Sequence, residues 1–484
     1  MLRALAVNMA NTVRSDMYTE EEIKSIVENQ REFFLSGKTL DLDFRIEQLK
    51  TLKKAVIDHQ SDLEQALYDD LGRASLEAYF CDVGALIVEI NEILHNLRKW
   101  AKPETHFSGI ICFPSIITKV YKMPYGVSLI ISPFNFPILL SLGVLAINIA
   151  GGNTAVIKSS SKSEHCTTVM KKILEELYPP EYVTLIDGGH DVADLCLEQP
   201  FDKIFYTGST RVGVHVLESA AKNLTSTCLE LGSENGNWCI VRKDANLKDA
   251  ARKVAFFKAL NSGQICLNIN QVAVAKEVSE QFVEELKKAF DKLLGTDPLN
   301  NPEYSHLIND GAYDKCFSLS EKYRDKIVYG GAGNRETLKF EPTILYPVDI
   351  GEDIVQRELF CPLLPVVTYK DSEVDSLINT IERRHHGLSL YIFTKNVRWA
   401  KKVMQRMQFG GGCINEVCLY MMVKGVPFNG VGHSGMGAYH GEWGFKEFTH
   451  PSTVLIGSSR FNLSLREHPY DVKEKKEVIK AIER

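Results

Sequence analysis

The chain has 484 residues, more than one hydrophobic core can fill, so two or three domains sharing interfaces are expected. Its 44% hydrophobic and 24% charged residues describe an ordinary globular protein, and a formal net charge of -6 leaves no broad basic field for nucleic acid or anionic lipid. Eleven cysteines, an odd total without a CxxC pair, argue against a disulfide framework or zinc ribbon and for a reducing cytoplasm.

The opening MLRALAVNMANTVRSD holds only Arg3 and Arg14 as charges before its final aspartate and lacks an extended apolar core, so it reads as a loose leader. From about 19 to 101 the pattern is helical: Leu76, Phe80, Val83, Ile87, Ile90, Leu94 and Leu97 recur at three- and four-residue intervals. Residues 105–126 turn rich in Ile, Val, Phe and Tyr, broken by Pro and Gly, which predicts a strand excursion. Short apolar runs then alternate with amphipathic helices: VSLIIS, helix 137–150, TAVIKS, helix 163–177, VTLID, helix 190–198, KIFYTG, helix 211–223. Such alternation predicts a parallel sheet with helices on its faces. Ligands gather at the carboxyl ends of the strands, where Asn135, Lys158 and Gly208 fall. A second alternation starts near 238 with WCIV, helix 246–260, QVAVA and helix 278–294, and continues through LSLYIF and helix 397–407, predicting a second α/β domain. The most apolar stretch, 136–152, is broken by Ser141, Asn148 and glycines and falls short of the roughly 18 uninterrupted apolar residues of a span. With a charged C-terminus as well, no membrane anchor is expected.

Cys266 ends the glycine-containing segment Asn261-Ser262-Gly263-Gln264-Ile265-Cys266 between a helix and a strand. A thiol on such a turn can face a cleft, although most free cysteines are buried fillers. Glu230 closes an apolar run before Leu231-Gly232, and a thiol with a carboxylate base is a pairing suited to acyl chemistry if folding unites them. Gly208-Ser209-Thr210-Arg211-Val212-Gly213 follows a strand and opens a helix, as a phosphate-binding turn would. Only the first and last glycines of the dinucleotide fingerprint are present, and an ordinary strand-to-helix turn fits equally. His385, His386, His433 and His440 show no metal-ligand spacing, so no metal is expected.

Together these segments resemble the aldehyde dehydrogenase superfamily, especially its class 3 branch, from about residue 31 to about 457. The matching motifs are PYGVSLIISPFNFP, NTAVIK, FYTGSTRVG, LELG, NSGQIC, QRELFCPLLP and PFNGVGHSGMGAYHG, in that order. The resemblance implies an α/β fold with two open parallel-sheet Rossmann-type domains and a small β bridging arm. It implies a nucleotide-binding domain over 1–104 and 127–229, a catalytic domain over 230–424, the arm over 105–126 and 425–460, and a charged tail over 461–484.

The implied reaction is oxidation of an aldehyde to the carboxylic acid with hydride transfer to NAD or NADP. Cys266 would be the nucleophile, Asn135 an oxyanion donor and Glu230 the base that activates water. Lys158 would bind the adenosine ribose, Gly208, Ser209 and Gly213 the pyrophosphate, and Leu231, Gly232, Glu358 and Phe360 the nicotinamide end. Tyr79, Phe134 and Phe136 would line a pocket for an apolar aliphatic or aromatic aldehyde, in a homodimer. An acylating reductase and a catalytically silent member are the alternatives; retention of Cys266, Glu230 and Asn135 counts against both.

Some residues depart from the family pattern. Lys158 is followed by Ser159-Ser160-Ser161 where a carboxylate is usual, which leaves NADP acceptable. Ser233 replaces a glycine, Glu234 a lysine and Cys361 a glycine; Asn429 and Trp443 also differ from the class 3 form.

Overall fold

The computed structural model describes residues 18–109, 112, 117–460, 468–469 and 472–483; the leader expected over the first sixteen positions lies outside them. The helical lead-in comprises Glu20–Leu35, Leu42–Asp58, Gln60–Leu71 and Gly84–Trp100. Its first helix starts at a capping box: Glu22 N–H donates to Thr19 Oγ1 at 3.2 Å, while the Glu22 carboxylate accepts from Thr19 N–H at 2.8 Å. The helix buries Ile23, Val27 and Gln30, and the Gln30 amide donates to the Ala155 carbonyl at 2.8 Å, fixing the helix to the sheet.

The excursion forms β1 (Glu104–Phe107) and β2 (Ile117–Pro124). The first alternation forms β3 (Val127–Ile131), β4 (Thr154–Lys158), β5 (Val183–Ile186), β6 (Lys203–Gly208) and β7 (Ser226–Leu231). The second supplies β8 (Asn237–Val241), β9 (Ile269–Ala275), β10 (Ile327–Tyr329), β11 (Thr343–Val348), β12 (Leu363–Tyr369), β13 (Ser389–Phe393) and β14 (Gly411–Ile414). The chain then returns through β15 (Gly435–Met436) and β16 (Thr449–Ile456).

A six-stranded sheet runs in the order β15-β7-β6-β3-β4-β5, parallel except for β15, and a seven-stranded sheet in the order β10-β11-β12-β9-β8-β13-β14, parallel except for β10. The inner strands β3, β4, β6, β8, β9, β12 and β13 are covered on both faces, which is why they read as continuous apolar runs without alternation. The apolar stretch predicted as helix 137–150 forms two consecutive helical pieces, Leu139–Gly143 and Val144–Gly151, buried throughout. It ends at Gly152, φ 89°, where a Cβ would stand 2.5 Å from the Arg45 guanidinium. Among the described residues no helix is long and apolar enough to cross a membrane.

The arm is a three-stranded sheet, β1-β2-β16, with β2 and β16 antiparallel from Ile117 opposite Ile456 to Pro124 opposite Thr449. Glu230 and Leu231 run inside β7, paired with Thr207 and Gly208 of β6, so a division between 229 and 230 passes through a strand of the first sheet.

Candidate active site

The segment before Cys266 owes its shape to three successive residues in left-handed conformation. The helix Leu247–Ala259 gives way to Asn261 and Ser262, both at φ 49°, and Gly263 at φ 76°. Each non-glycine residue held there costs about 1–3 kcal/mol, so the surroundings must over-determine the arch. They do. Asn261 N–H donates to the Glu77 carboxylate at 2.9 Å, and the Asn261 amide donates to the carbonyls of Gln264 at 3.0 Å and Asn135 at 3.2 Å. The Gln264 amide donates to the carbonyls of Asn261 and His306 and its oxygen accepts from Ile308 N–H, each within 3.1 Å. Gly263 presses so close to the Cys361 carbonyl that any side chain would collide with it.

Asn135 arrives from the other sheet, four positions beyond β3. One N–H of its amide donates to the Gln264 carbonyl at 3.1 Å, which aims the second N–H. Its own carbonyl accepts from Arg73 and Asn261. Arg73 is fully buried: it pairs with Asp82, donates to the Asn261 side-chain oxygen at 3.0 Å, and lies 4.5 Å from the Phe136 ring centroid. One guanidinium thus references the loops carrying Asn135 and Cys266 to each other.

Burial pushes the Cys266 thiol up to about 12, and the nearby Glu358 and Glu230 carboxylates add to this against the backbone N–H groups of Leu267 and Cys266. Glu230 is buried, neither carboxylate oxygen has a hydrogen-bond partner within the protein, and burial, followed by repulsion from Glu447, holds it well above the usual carboxylate range. A buried carboxylate without a protein partner is uncommon, which makes Glu230 a candidate for a functional role. Glu358 accepts from Ser233 N–H at 3.4 Å and is raised by burial to about 7. Gly232 makes room for it, since a Cβ there would strike the Glu358 carboxylate. Phe360, at φ 54°, meets Phe134 edge to face at 5.9 Å.

Beyond β6, Ser209 caps the helix Thr210–Asn223, accepting from Val212 N–H at 3.4 Å. A Cβ on Gly208 would collide with the Tyr206 hydroxyl, and one on Gly213 would stand 2.5 Å from Leu231 Cδ2, so both glycines let backbone come close. Lys158, at the end of β4, is buried and donates to the carbonyls of Ser159 at 2.6 Å and Gly188 at 2.7 Å.

A single cavity of about 620 Å³ is lined by Cys266, Asn135, Glu230, Glu358, Phe360, Phe134, Phe136, Gly208, Ser209, Leu231 and Gly232 together. Lys158 and Gly213 lie outside its lining. So does Tyr79, which is 38% exposed. The turn Tyr79–Val83 is a wide π-helical one, which shifts the helical phase: Tyr79 packs over Gly84, while Phe80 and Cys81 face the cavity. Sequence reasoning also missed Phe256, Lys315, Met421 and Met422 in the lining; the apolar loop Leu419–Met422 was the available signal. Cys361 is buried against Cys316 and outside the lining. Elsewhere the fold brings Glu234, His385 and His433 together from three loops, which linear spacing could not reveal.

Residues 7–454 match the family model described as the aldehyde dehydrogenase family. A 4,4'-diaponeurosporen-aldehyde dehydrogenase of Staphylococcus aureus is 35% identical over 449 residues, covering 92% of this chain and 96% of that protein. A dimeric, NADP-preferring aldehyde dehydrogenase of Canis lupus familiaris is 34% identical over 442 residues, 90% of this chain and 94% of the other. The solved substrate-bound state of Staphylococcus aureus AldH superposes with a TM-score of 0.91 at 34% identity, over 97% of this chain and 100% of that one. With the fold, the motif order and nearly the whole length in agreement, the chain belongs to the aldehyde dehydrogenase family.

Proposed function

We propose that Cys266 is the nucleophile with which this chain, an NAD(P)-dependent oxidoreductase, converts an aldehyde to its carboxylic acid. The observation that carries this reading is the convergence of Cys266, Asn135, Glu230 and Glu358 on one cavity that also reaches the Gly208-Ser209 turn. The Cys266 sulfur bonds to the aldehyde carbon, its proton leaving to solvent as that bond forms, and the Glu230 carboxylate is kept for the later, hydrolytic step. The oxyanion that develops is taken by the free N–H of the Asn135 amide and the backbone N–H of Cys266. A nicotinamide bound in the cavity would accept the hydride released from the substrate carbon as its carbonyl re-forms, which leaves the acyl group on Cys266 as a thioester. Glu230 then removes a proton from water, whose oxygen adds to the Cys266 thioester carbon. The carbon–sulfur bond breaks, and the acid leaves with the thiol restored.

The residues present fit a dinucleotide: a capped helix N-terminus, glycines at 208, 213 and 232 that a side chain would block, and the buried Lys158 ammonium. Lys158 would hold the adenosine ribose, Gly208, Ser209 and Gly213 the pyrophosphate, and Leu231, Gly232, Glu358 and Phe360 the nicotinamide end. Ser161 in place of a carboxylate, and the relative described as NADP-preferring, support use of both NAD and NADP. On this reading the six-stranded sheet with the lead-in is the nucleotide-binding unit, the seven-stranded sheet the catalytic unit and the three-stranded sheet the arm.

The lining of Phe80, Phe134, Phe136, Phe256, Met421 and Met422 suits an apolar aliphatic or aromatic aldehyde. Val454, Leu455 and Ile456 leave the end of β16 apolar and exposed on both faces, and the canine relative is described as dimeric; both support a homodimer. Eleven unpaired cysteines support a reducing compartment, the cytoplasm. The test is reduced-cofactor formation from a panel of aldehydes with NAD and with NADP, with Cys266→Ala as control. Activity should vanish in the variant, and equal rates in the two proteins overturn the assignment.

A further inference from the structure

Glu234, His385 and His433 come from separate parts of the chain: the turn between β7 and β8, the loop before β13 and the loop before β15. Their ligand atoms all lie within 4.8 Å of one another. Glu234 Oε2 stands 2.6 Å from His433 Nδ1 and 3.6 Å from His385 Nε2, and the two imidazoles stack with centroids 3.5 Å apart. Among the described residues Glu234 pairs with no lysine or arginine; its ion-pair partners are these two rings.

We propose that Glu234, His385 and His433 form a binding site for a borderline divalent cation of the Zn²⁺ type. Two imidazole nitrogens and one carboxylate oxygen are a donor set that Zn²⁺, Co²⁺, Ni²⁺ and Cu²⁺ accept, while Ca²⁺ and Mg²⁺ prefer all-oxygen cages. The three side chains are each about half exposed, at 45–51%, which leaves room for water to complete the coordination.

The position gives the cation a structural effect. β7 and β15 belong to the six-stranded sheet, β8 and β13 to the seven-stranded one, so a bound ion would pin the seam between them. It would do so one residue from Ser233, whose N–H holds Glu358. His433 is also tied to the phosphate turn, its carbonyl accepting from the Thr210 hydroxyl at 3.0 Å.

The experiment uses full-length protein stripped with chelator and carrying Cys266→Ser, so that the nucleophile does not compete, and titrates it with Co²⁺ alone and then Zn²⁺. One equivalent of Co²⁺ should give visible ligand-field bands without the near-ultraviolet sulfur-to-metal charge transfer of a thiolate site, and Zn²⁺ should displace it. Zn²⁺ should also raise the unfolding temperature by mass action. Removing an outer-shell partner weakens metal binding 10–100-fold, so loss of a ligand in Glu234→Gln, His385→Ala or His433→Ala should weaken it by on the order of 100-fold. In the wild-type background, the same substitutions should leave metal-free aldehyde oxidation intact, which shows that the variants fold. Zn²⁺ affinity unchanged in all three variants, or a cobalt spectrum dominated by thiolate charge transfer, overturns the proposal.

Discussion

Replacing Asn135 with alanine separates catalytic from structural loss. The deleted amide gives up its bond to the Gln264 carbonyl at 3.1 Å, but that carbonyl keeps the Asn261 amide at 3.0 Å, so no buried acceptor is orphaned. The Asn135 carbonyl, held by Arg73 and Asn261, is backbone and survives the change. The structural loss is therefore that of one ordinary hydrogen bond, about 1 kcal/mol, which shifts the melting temperature by roughly 2–4 °C or less in a chain this large. The catalytic loss is that of one preorganised oxyanion donor, about 100- to 1000-fold in rate, or roughly 2.7–4 kcal/mol. Rapid mixing with saturating aldehyde and cofactor would follow the first turnover of reduced cofactor, with a thermal melt in parallel. A first-turnover rate within about 5-fold of the parent refutes the oxyanion assignment, since a donor of this kind is worth far more. A melt displaced far beyond the value for one hydrogen bond refutes the structural part.

Glu230→Gln should give a burst of reduced cofactor near one per site followed by slow turnover, because the thioester forms but water is not activated; steady turnover at the parental rate contradicts the base assignment. Burial raises Glu230 well above the ordinary carboxylate range, so the base-competent carboxylate fills as pH rises. The parental deacylation rate should therefore climb with pH above that range. Persistence of the same limb in Glu230→Gln would assign it to another group. Gly263→Ala forces a side chain onto a left-handed residue, at φ 76°, and against the Cys361 carbonyl, and should cost about 1–3 kcal/mol or more in a denaturant melt; an unchanged midpoint refutes the packing argument. Arg73→Met strands the buried Asp82 and should cost about 3–5 kcal/mol, whereas Arg73→Met with Asp82→Leu should regain part of it. A double variant no better than the single one would show that the ion pair is not the source of the loss.

The two sheets were legible because strands covered on both faces must be apolar throughout and the helices between them amphipathic. The ends of elements such as Thr154–Lys158 and Ser279–Leu294 could be read to within a residue or two for the same reason. Cys266 was legible through the ordered motifs around it, since local composition alone gave only a thiol on a turn. What escaped was long-range. The strand bearing Glu230 is flanked by β6 and by β15, and the pairing with Gly435 leaves no trace near position 230. Arg73, in Leu71-Gly72-Arg73-Ala74, reads as a solvated residue after a helix; its burial depends on Asp82, Asn135 and Asn261. Tyr79 was displaced from the cavity by a π-helical turn, where a periodicity of 3.6 fails and the neighbouring positions take over.

The Arg73 junction bears on how such a chain can be recombined. A chimera that joins the helical segment of one relative to the sheets of another replaces the guanidinium, its acid and the two amide-bearing loops from different sources. The grafted protein can then fold well and still hold Cys266 and Asn135 out of mutual alignment. The helical segment that carries Arg73 is in this sense an alignment part of the candidate site, inherited as a set with the loops at 135 and 261 rather than as an interchangeable prefix.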